Sequence, residues 1–218
     1  MVGLKDVLRE HATPTQRTYR EFNSAYAFFN TRLFDGSLPD CLITIQRKNK
    51  AYGYFAFERF GSADDQDITD EIALNPHHFK DRSAEEVLST LVHEMVHLWQ
   101  FHFGKPSRSG YHNKEWAAKM ETVGLIPTDT GAEGGKKTGQ NMSHYIAQDG
   151  LFAMACADLI KGGFSIPYVD RWDNDSTRKK KSASKTKFNC AACGQNAWAK
   201  ADAALVCGYC AEIMEPQV

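Results

Sequence analysis

No apolar run in this 218-residue chain approaches the roughly 18–20 residues that a membrane-spanning helix needs. Nor does the start of the chain look like a secretion signal. Met1 to Glu10 is charged and lacks both an apolar stretch and a small-residue cleavage site, so the expected compartment is the cytoplasm. A net charge of one sign is missing as well: 26 Lys and Arg stand against 27 Asp and Glu. Whole-chain charge therefore says nothing about partners, and only local blocks can. There is no internal repeat. Cysteine is scarce, six in all, and four of these fall in two CxxC pairs. In a cytosolic chain that usage reads as metal binding rather than disulfide bonding. Cys41 and Cys156 stand alone among apolar neighbours and read as small buried hydrophobes.

What is present suits a globular protein with a sizeable core. Hydrophobic residues make up 42% and aromatics 11%, which argues against wholesale disorder. Apolar side chains at three-to-four spacing predict a helix over Thr15–Phe34, ended by Asp35-Gly36 and Leu38-Pro39. Cys41–Gln46 and Ala51–Phe60 read as strands around a basic turn, and Glu71–Leu74 as a short third strand. Together they predict a small antiparallel or mixed sheet beside the first helix. Ser83 with Glu86 forms a capping box for a helix running to about Phe101. A further helix is expected over Asn113–Val123. Thr128–Gln140 is Gly-rich and reads as a mobile loop. Gly150–Lys161 follows as a helix and Phe164–Val169 as a strand.

The charge blocks are local. Asp64, Asp65, Asp67, Asp70 and Glu71 crowd one stretch, while Arg178, Lys179, Lys180, Lys181, Lys185 and Lys187 crowd another. The resulting organisation is an α+β domain over 1–172, a basic flexible linker over 173–187 and a small module over 188–218.

His93-Glu94-Met95-Val96-His97 is HExxH on the Ser83-capped helix. Histidines at i and i+4 project from one face, one turn apart, so two imidazoles can meet at one ion. The glutamate, offset by one residue, reaches a water beside the ion rather than the ion itself, and takes its proton as oxygen attacks a carbonyl. Chance alone produces this pattern roughly twice in a hundred such chains, so its setting matters. Leu88, Leu91, Val92, Met95, Val96 and Trp99 fill one face, and Thr90, His93, Glu94, His97 and Gln100 the other. A polar helix face is usually solvated. This one lies in phase opposite a clean apolar stripe, which favours the metal reading.

A zinc site of this kind needs a third protein ligand. An HExxHxxGxxH continuation would need Gly at position 100 and His at position 103, where Gln100 and Phe103 stand. His112, between a loop and a helix that can pack beside the first, is better placed; Glu115, Glu121 and His144 are the alternatives. Near the C-terminus, Cys190-Ala-Ala-Cys193 and Cys207-Gly-Tyr-Cys210 supply four thiolates for a closed tetrahedral zinc site. About thirty residues cannot build a core of their own, so the ion would supply most of the folding energy. The adjacent lysines favour contact with phosphate. Trp198 could stack on a base or cover the module's small core.

Taken together, Asn30–Pro39 (NTRLFDGSLP), Asn75-Pro76, Thr90–Gln100 (TLVHEMVHLWQ), His112–Met120 (HNKEWAAKM) and the four-cysteine ribbon resemble the SprT-like family, which includes bacterial SprT proteins and the eukaryotic protease Spartan. The resemblance implies a zincin-type metallopeptidase domain with a C-terminal zinc ribbon. It assigns His93, His97 and His112 as ligands of a catalytic zinc, Glu94 as the catalytic residue, and Cys190, Cys193, Cys207 and Cys210 as ligands of a structural zinc. Asn113 stands where the family often has Gly. The similarity to Spartan implies an endopeptidase for DNA-associated or DNA-crosslinked proteins, with single-stranded or junction DNA met by the ribbon and the lysine-rich linker, and hence work at the nucleoid. A different class of function uses the same parts: a nucleic-acid-binding or transcription-associated adaptor with a non-proteolytic scaffold. His144 or Tyr145, in the otherwise unexplained NMSHY segment, could donate to an oxyanion, packing being the simpler role. Glu71–Leu74 is the expected edge for pairing with an extended substrate.

Overall fold

The computed structural model describes residues 12–64, 67–171 and 185–217. Asp65 and the basic run Arg178–Lys181, with most of the expected 173–187 linker, lie outside the described residues. The chain divides into two compact units, Met1–Arg171 and Trp172–Val218. Among the described residues no helix is long and apolar enough to cross a membrane.

The first unit mixes helices with small sheets. Its opening helix, α1 (Pro14–Leu33), starts on a capping box in which Thr13 and Gln16 satisfy each other's backbone N–H groups, with Pro at the first turn. It stops where Asp35 and Gly36 both turn to positive φ. The side-chain amide of Asn30 then accepts from Leu38 N–H and donates to its carbonyl, and the Tyr26 hydroxyl donates to the Pro39 carbonyl. These contacts fold the NTRLFDGSLP segment back onto the helix. Phe22, Ala25 and Phe29 are fully buried, with Phe29 stacked on Phe152. Cys156 joins this core, whereas Cys41 is only partly buried and lies against it.

Strands β1 (Leu42–Ile45), β2 (Gly53–Gly61) and β3 (Ile68–Leu74) form one sheet in the order β1-β3-β2, with β1 parallel and β2 antiparallel to β3. The expected edge strand is therefore central. Ile72 and Leu74 are fully buried between two neighbours, and among the described residues the open edges belong to β1 and β2. Burial explains the reversal: Ile68–Leu74 is the most continuously buried strand of the three, and a strand buried on both faces belongs in the middle. In β2 the register slips between Ala56 and Phe60, with Glu58 at positive φ. The Asp70 carboxylate holds that bulge by accepting from Glu58 N–H at 2.7 Å, and it also bonds His102 at 2.6 Å.

Helix α2 (Ala84–Phe103) begins at Ser83 with the expected capping box to Glu86. Leu88, Leu91, Val92, Met95 and Val96 are fully buried, each such side chain worth about 1.5–3 kcal/mol of transfer. Helix α3 (Lys114–Thr122) follows, capped by Asn113. Strands β4 (Leu125–Thr128) and β5 (Ser143–Ile146) pair as a hairpin that the sequence does not announce, and α4 (Leu151–Lys161) completes the unit. The Gly-rich connection of this hairpin, expected as a mobile loop, carries backbone hydrogen bonds near both of its ends. Gly139 and His112 exchange both backbone hydrogen bonds, and Asp129 N–H donates to the Lys136 carbonyl. Phe164–Val169, expected as a strand, has no regular structure.

The second unit is a three-stranded sheet, β6 (Thr186–Asn189) between β7 (Asn196–Ala199) and β8 (Glu215–Gln217). Its core is Phe188, Met214 and the buried Cys190 and Cys207. Trp198 is 59% exposed and so does not cover that core. The two CxxC turns repeat one backbone pattern. Cys190 and Cys207 each accept, through their carbonyls, from the residue four further on, Gly194 and Ala211. Both residues sit at positive φ, +74° and +56°. Alanine carries a steric cost there of about 1–2 kcal/mol, partly offset by the greater freedom of glycine in the unfolded chain. Ala211→Gly should therefore leave ribbon stability unchanged or raise it by up to about 1 kcal/mol. Thermal unfolding followed at Trp198 checks this, and a clear loss of stability would contradict the backbone argument.

Candidate metal centre

Polar side chains on the inner face of α2 are buried, not solvated. Thr90, His93, Glu94 and Gln100 are each less than a tenth exposed. Burying such a stripe costs free energy unless every group has a partner, so the partners define the site.

The ring nitrogens of His93, His97 and His112 lie within 4.8 Å of one another. His93 and His97 share one face of α2, a turn apart. His112 arrives from the loop before α3, held by its backbone bridge to Gly139 and by the Asn113 cap on the Trp116 N–H. Nε2 of His97 and Nε2 of His112 are 3.1 Å apart. Two lone pairs at that distance repel unless a proton or a cation lies between them. Arms of about 2.0–2.1 Å to a tetrahedral zinc would set neighbouring nitrogens about 3.3 Å apart, close to what is found. The donor set thus fits zinc. The other candidates for a third ligand have different work. Glu115 accepts from Lys105 N–H and the Gln100 amide, and Glu121 pairs with Lys137.

Trp116 forms the floor. Its ring is fully buried, 4.3 Å from the His112 ring, 5.0 Å from His93 and 5.2 Å from His97. On the sequence it reads only as part of an apolar helix face. Gly53 of β2 makes the opposite contribution, by having no side chain. A Cβ there would sit 2.8 Å from the Ala73 carbonyl oxygen, 2.9 Å from Thr90 Cγ2 and 3.3 Å from Glu94 Oε1. The edge strand passes directly against Glu94 only because the residue is glycine. Nothing in the order of residues marks that glycine out from its neighbours.

His144 lies beside His93, with Nδ1 to Nδ1 at 3.1 Å, and its Nε2 is 2.9 Å from Ser89 Oγ. With both ring nitrogens engaged it is not available as an oxyanion donor.

Burial is also the leading cause of the proton affinities here. It pushes the Glu94 carboxyl up to about 8, against the pull of Lys48 and the Phe55 backbone N–H. His93 is driven far down, His97 down to about 3 and His144 to about 4, with neighbouring imidazoles adding to the effect on the first two. His112 is lowered too, again chiefly by burial.

In the ribbon, the Sγ atoms of Cys190, Cys193, Cys207 and Cys210 also lie within 4.8 Å of one another. Cys193 and Cys207 are 3.7 Å apart. That matches the edge of a zinc tetrahedron with arms of about 2.3 Å, roughly 3.75 Å, and is far from the roughly 2.05 Å of a disulfide. Backbone N–H groups of Cys210 and Tyr209 aimed at Cys207 pull its thiol down to about 7, toward the thiolate a metal needs.

Residues 22–134 match the SprT-like family. Over 59 residues the chain is 49% identical to a Salmonella typhimurium protein described as "uncharacterized protein in mucB 3' region", which takes in 27% of this chain and 80% of that one. The family match runs from within α1 through β4 with the three histidines, and ends before His144 and the cysteines.

The buried imidazoles give the metal-free protein a definite response to pH. Histidines held neutral in the fold, at values below the usual 6.5, favour folding fully above that value and lose the advantage as pH falls toward 3–4. Glu94 has the opposite sign, its contribution fading as pH rises from 4.5 through about 8. Four histidines outweigh one carboxyl, so the urea midpoint of chelator-treated protein should fall between pH 7 and pH 5. A midpoint that holds or rises on acidification would contradict the burial argument.

Proposed function

The chain belongs to the SprT-like family, and from that premise we propose that it is a zinc-dependent endopeptidase acting on DNA-associated or DNA-crosslinked proteins. The observation that carries the reading is the pairing of a compact triad, His93, His97 and His112, with a buried Glu94 beside an open sheet edge. In this reading the peptidase domain is of the zincin type and spans 1–172, the linker 173–187 and the ribbon 188–218.

His93, His97 and His112 would hold the catalytic ion through their neutral nitrogens, and the four cysteines a structural one. Bound there, zinc supplies Lewis acidity, polarising a peptide carbonyl and making water acidic near neutral pH. Glu94 takes a proton from the attacking water and delivers it to the leaving amine. Its setting suits both halves of that task. Burial raises its proton affinity, while Lys48, the Phe55 N–H and a nearby cation lower it, toward the neutral range where a general base and acid works best.

Substrate alignment falls to β2 rather than to the central β3. An extended peptide adding to the open β2 edge would run past Gly53, where the strand comes closest to Glu94. Further along β2, exposed Phe57 stacks on Phe101, one turn beyond His97, and extends an apolar rim. Support for the DNA side comes from the ribbon. Exposed Trp198 is the cross-strand partner of exposed Lys187, so an aromatic face for bases and a cation for phosphate stand side by side.

Zinc should be found at two ions per chain, falling to one in the double variant Cys190→Ser with Cys193→Ser. One ion in the unaltered protein would remove one of the two sites from the reading. Glu94→Gln should keep both ions yet slow cleavage of a DNA-binding protein by roughly 10²–10⁴-fold. Single-stranded DNA should stimulate the unaltered enzyme, with sharp loss of stimulation at high salt. Cleavage unaffected by Glu94→Gln would sink the peptidase mechanism. Salt-sensitive DNA binding with both ions present and no hydrolysis would make the chain an adaptor.

A further inference from the structure

The β4–β5 hairpin brings two groups to the histidine triad. One is the Gly139 carbonyl, 3.2 Å from Nδ1 of His112. The other is His144, paired with Pro127 across the hairpin and lodged between Ser89 and His93, which are themselves one turn apart on α2. Ser89 Oγ lies 2.9 Å from the Glu86 carbonyl and 2.9 Å from Nε2 of His144. With its single proton donated to that carbonyl, the Ser89 hydroxyl accepts from His144, whose Nε2 then carries the proton. The Nδ1 of His144 is left as an acceptor and takes the Nδ1–H of His93 at 3.1 Å. His93 is thereby confined to the tautomer whose Nε2 lone pair is free for an ion. His112 is set the same way by Gly139.

We infer that His144, oriented by Ser89, is a positioning residue that fixes the ring angle and tautomer of His93 for metal binding. The inference rests on the reading of the triad as a metal site. It separates His144 from the ligands themselves: the cluster whose ligand atoms lie within 4.8 Å of one another holds His93, His97 and His112 only, among the described residues. It also gives the hairpin a task that reaches beyond the family match, which ends before either supporting group.

Two measurements test it, both on the full chain. In metal-free protein, ¹⁵N spectra of the imidazoles should show His93 protonated at Nδ1 and His144 at Nε2. The reverse pair of tautomers would overturn the inference. Zinc affinity of the triad, read by competition with a chelator while the ribbon ion serves as internal control, should fall roughly 10–100-fold in His144→Leu. His144→Asn, whose carbonyl oxygen can still accept from His93, should remain within about threefold of the unaltered protein, and Ser89→Ala should fall between the two. Equal affinity in a folded His144→Leu, or an Asn variant as weak as Leu, would overturn the role. If the leucine variant fails to fold, Ser89→Ala and the tautomer spectra still decide. An unaltered protein that binds no zinc at the triad would sink the metal reading instead, with the tautomers unchanged.

Discussion

Three imidazole lone pairs aimed at one buried point repel each other, and most of the first unit is arranged to hold them there. Helix α2 supplies two of the three because i and i+4 share a face. Its other side, from Leu88 to Val96, is driven into the core and fixes the helix's rotation. Trp116 closes the floor beneath the rings and excludes water from one side. The free energy lost in burying the imidazoles and Glu94 neutral is set against the cohesion of that core. In the proposed function it is recovered when a cation replaces the mutual repulsion, which would tie metal binding to folding stability.

A second constraint is access. A buried triad is useless to a polymer substrate unless backbone can reach it, and in the proposed function the route is an edge strand with a missing side chain. Gly53 lets β2 lie against Glu94, and the bulge at Glu58, pinned by Asp70 and through it to His102 on α2, turns the rest of the strand along the helix. Such an edge recognises backbone rather than side-chain identity. A peptidase built this way has little sequence discrimination of its own, so selectivity must come from where it is held. In the proposed function the ribbon meets that need, with Trp198 and Lys187 outward and Cys190 and Cys207 inward.

The parts legible in the sequence were those whose physics is local. The capping box at Ser83, the helical stripe of α2, the i and i+4 histidines and the CxxC pairs all depend on residues within a few positions of each other. Their structural placement follows the spacing closely. The order of strands was not local. Whether Ile68–Leu74 lies at the edge or the centre depends on where β1 and β2 come to rest, and the chain segment itself is the same in either case. The β4–β5 hairpin was hidden for a related reason: Leu125–Thr128 and Ser143–Ile146 are four residues each, separated by a long Gly-rich stretch without a tight-turn signal.

His144 illustrates the limit most sharply. Its segment offers no motif, because its role is defined by Ser89 and His93, more than fifty positions earlier. Sequence spacing identifies residues that bind an ion, since ligands on one helix must obey helical geometry. Residues that orient those ligands obey no such rule; they need only a hydrogen-bond vector, which any element can deliver. The donor direction inferred along Glu86, Ser89, His144 and His93 follows once the Ser89 proton is given to the Glu86 carbonyl. That assignment becomes possible only once the fold has brought the four together. The core of a metal site is therefore readable from one dimension, while the tautomers that make it competent belong to three.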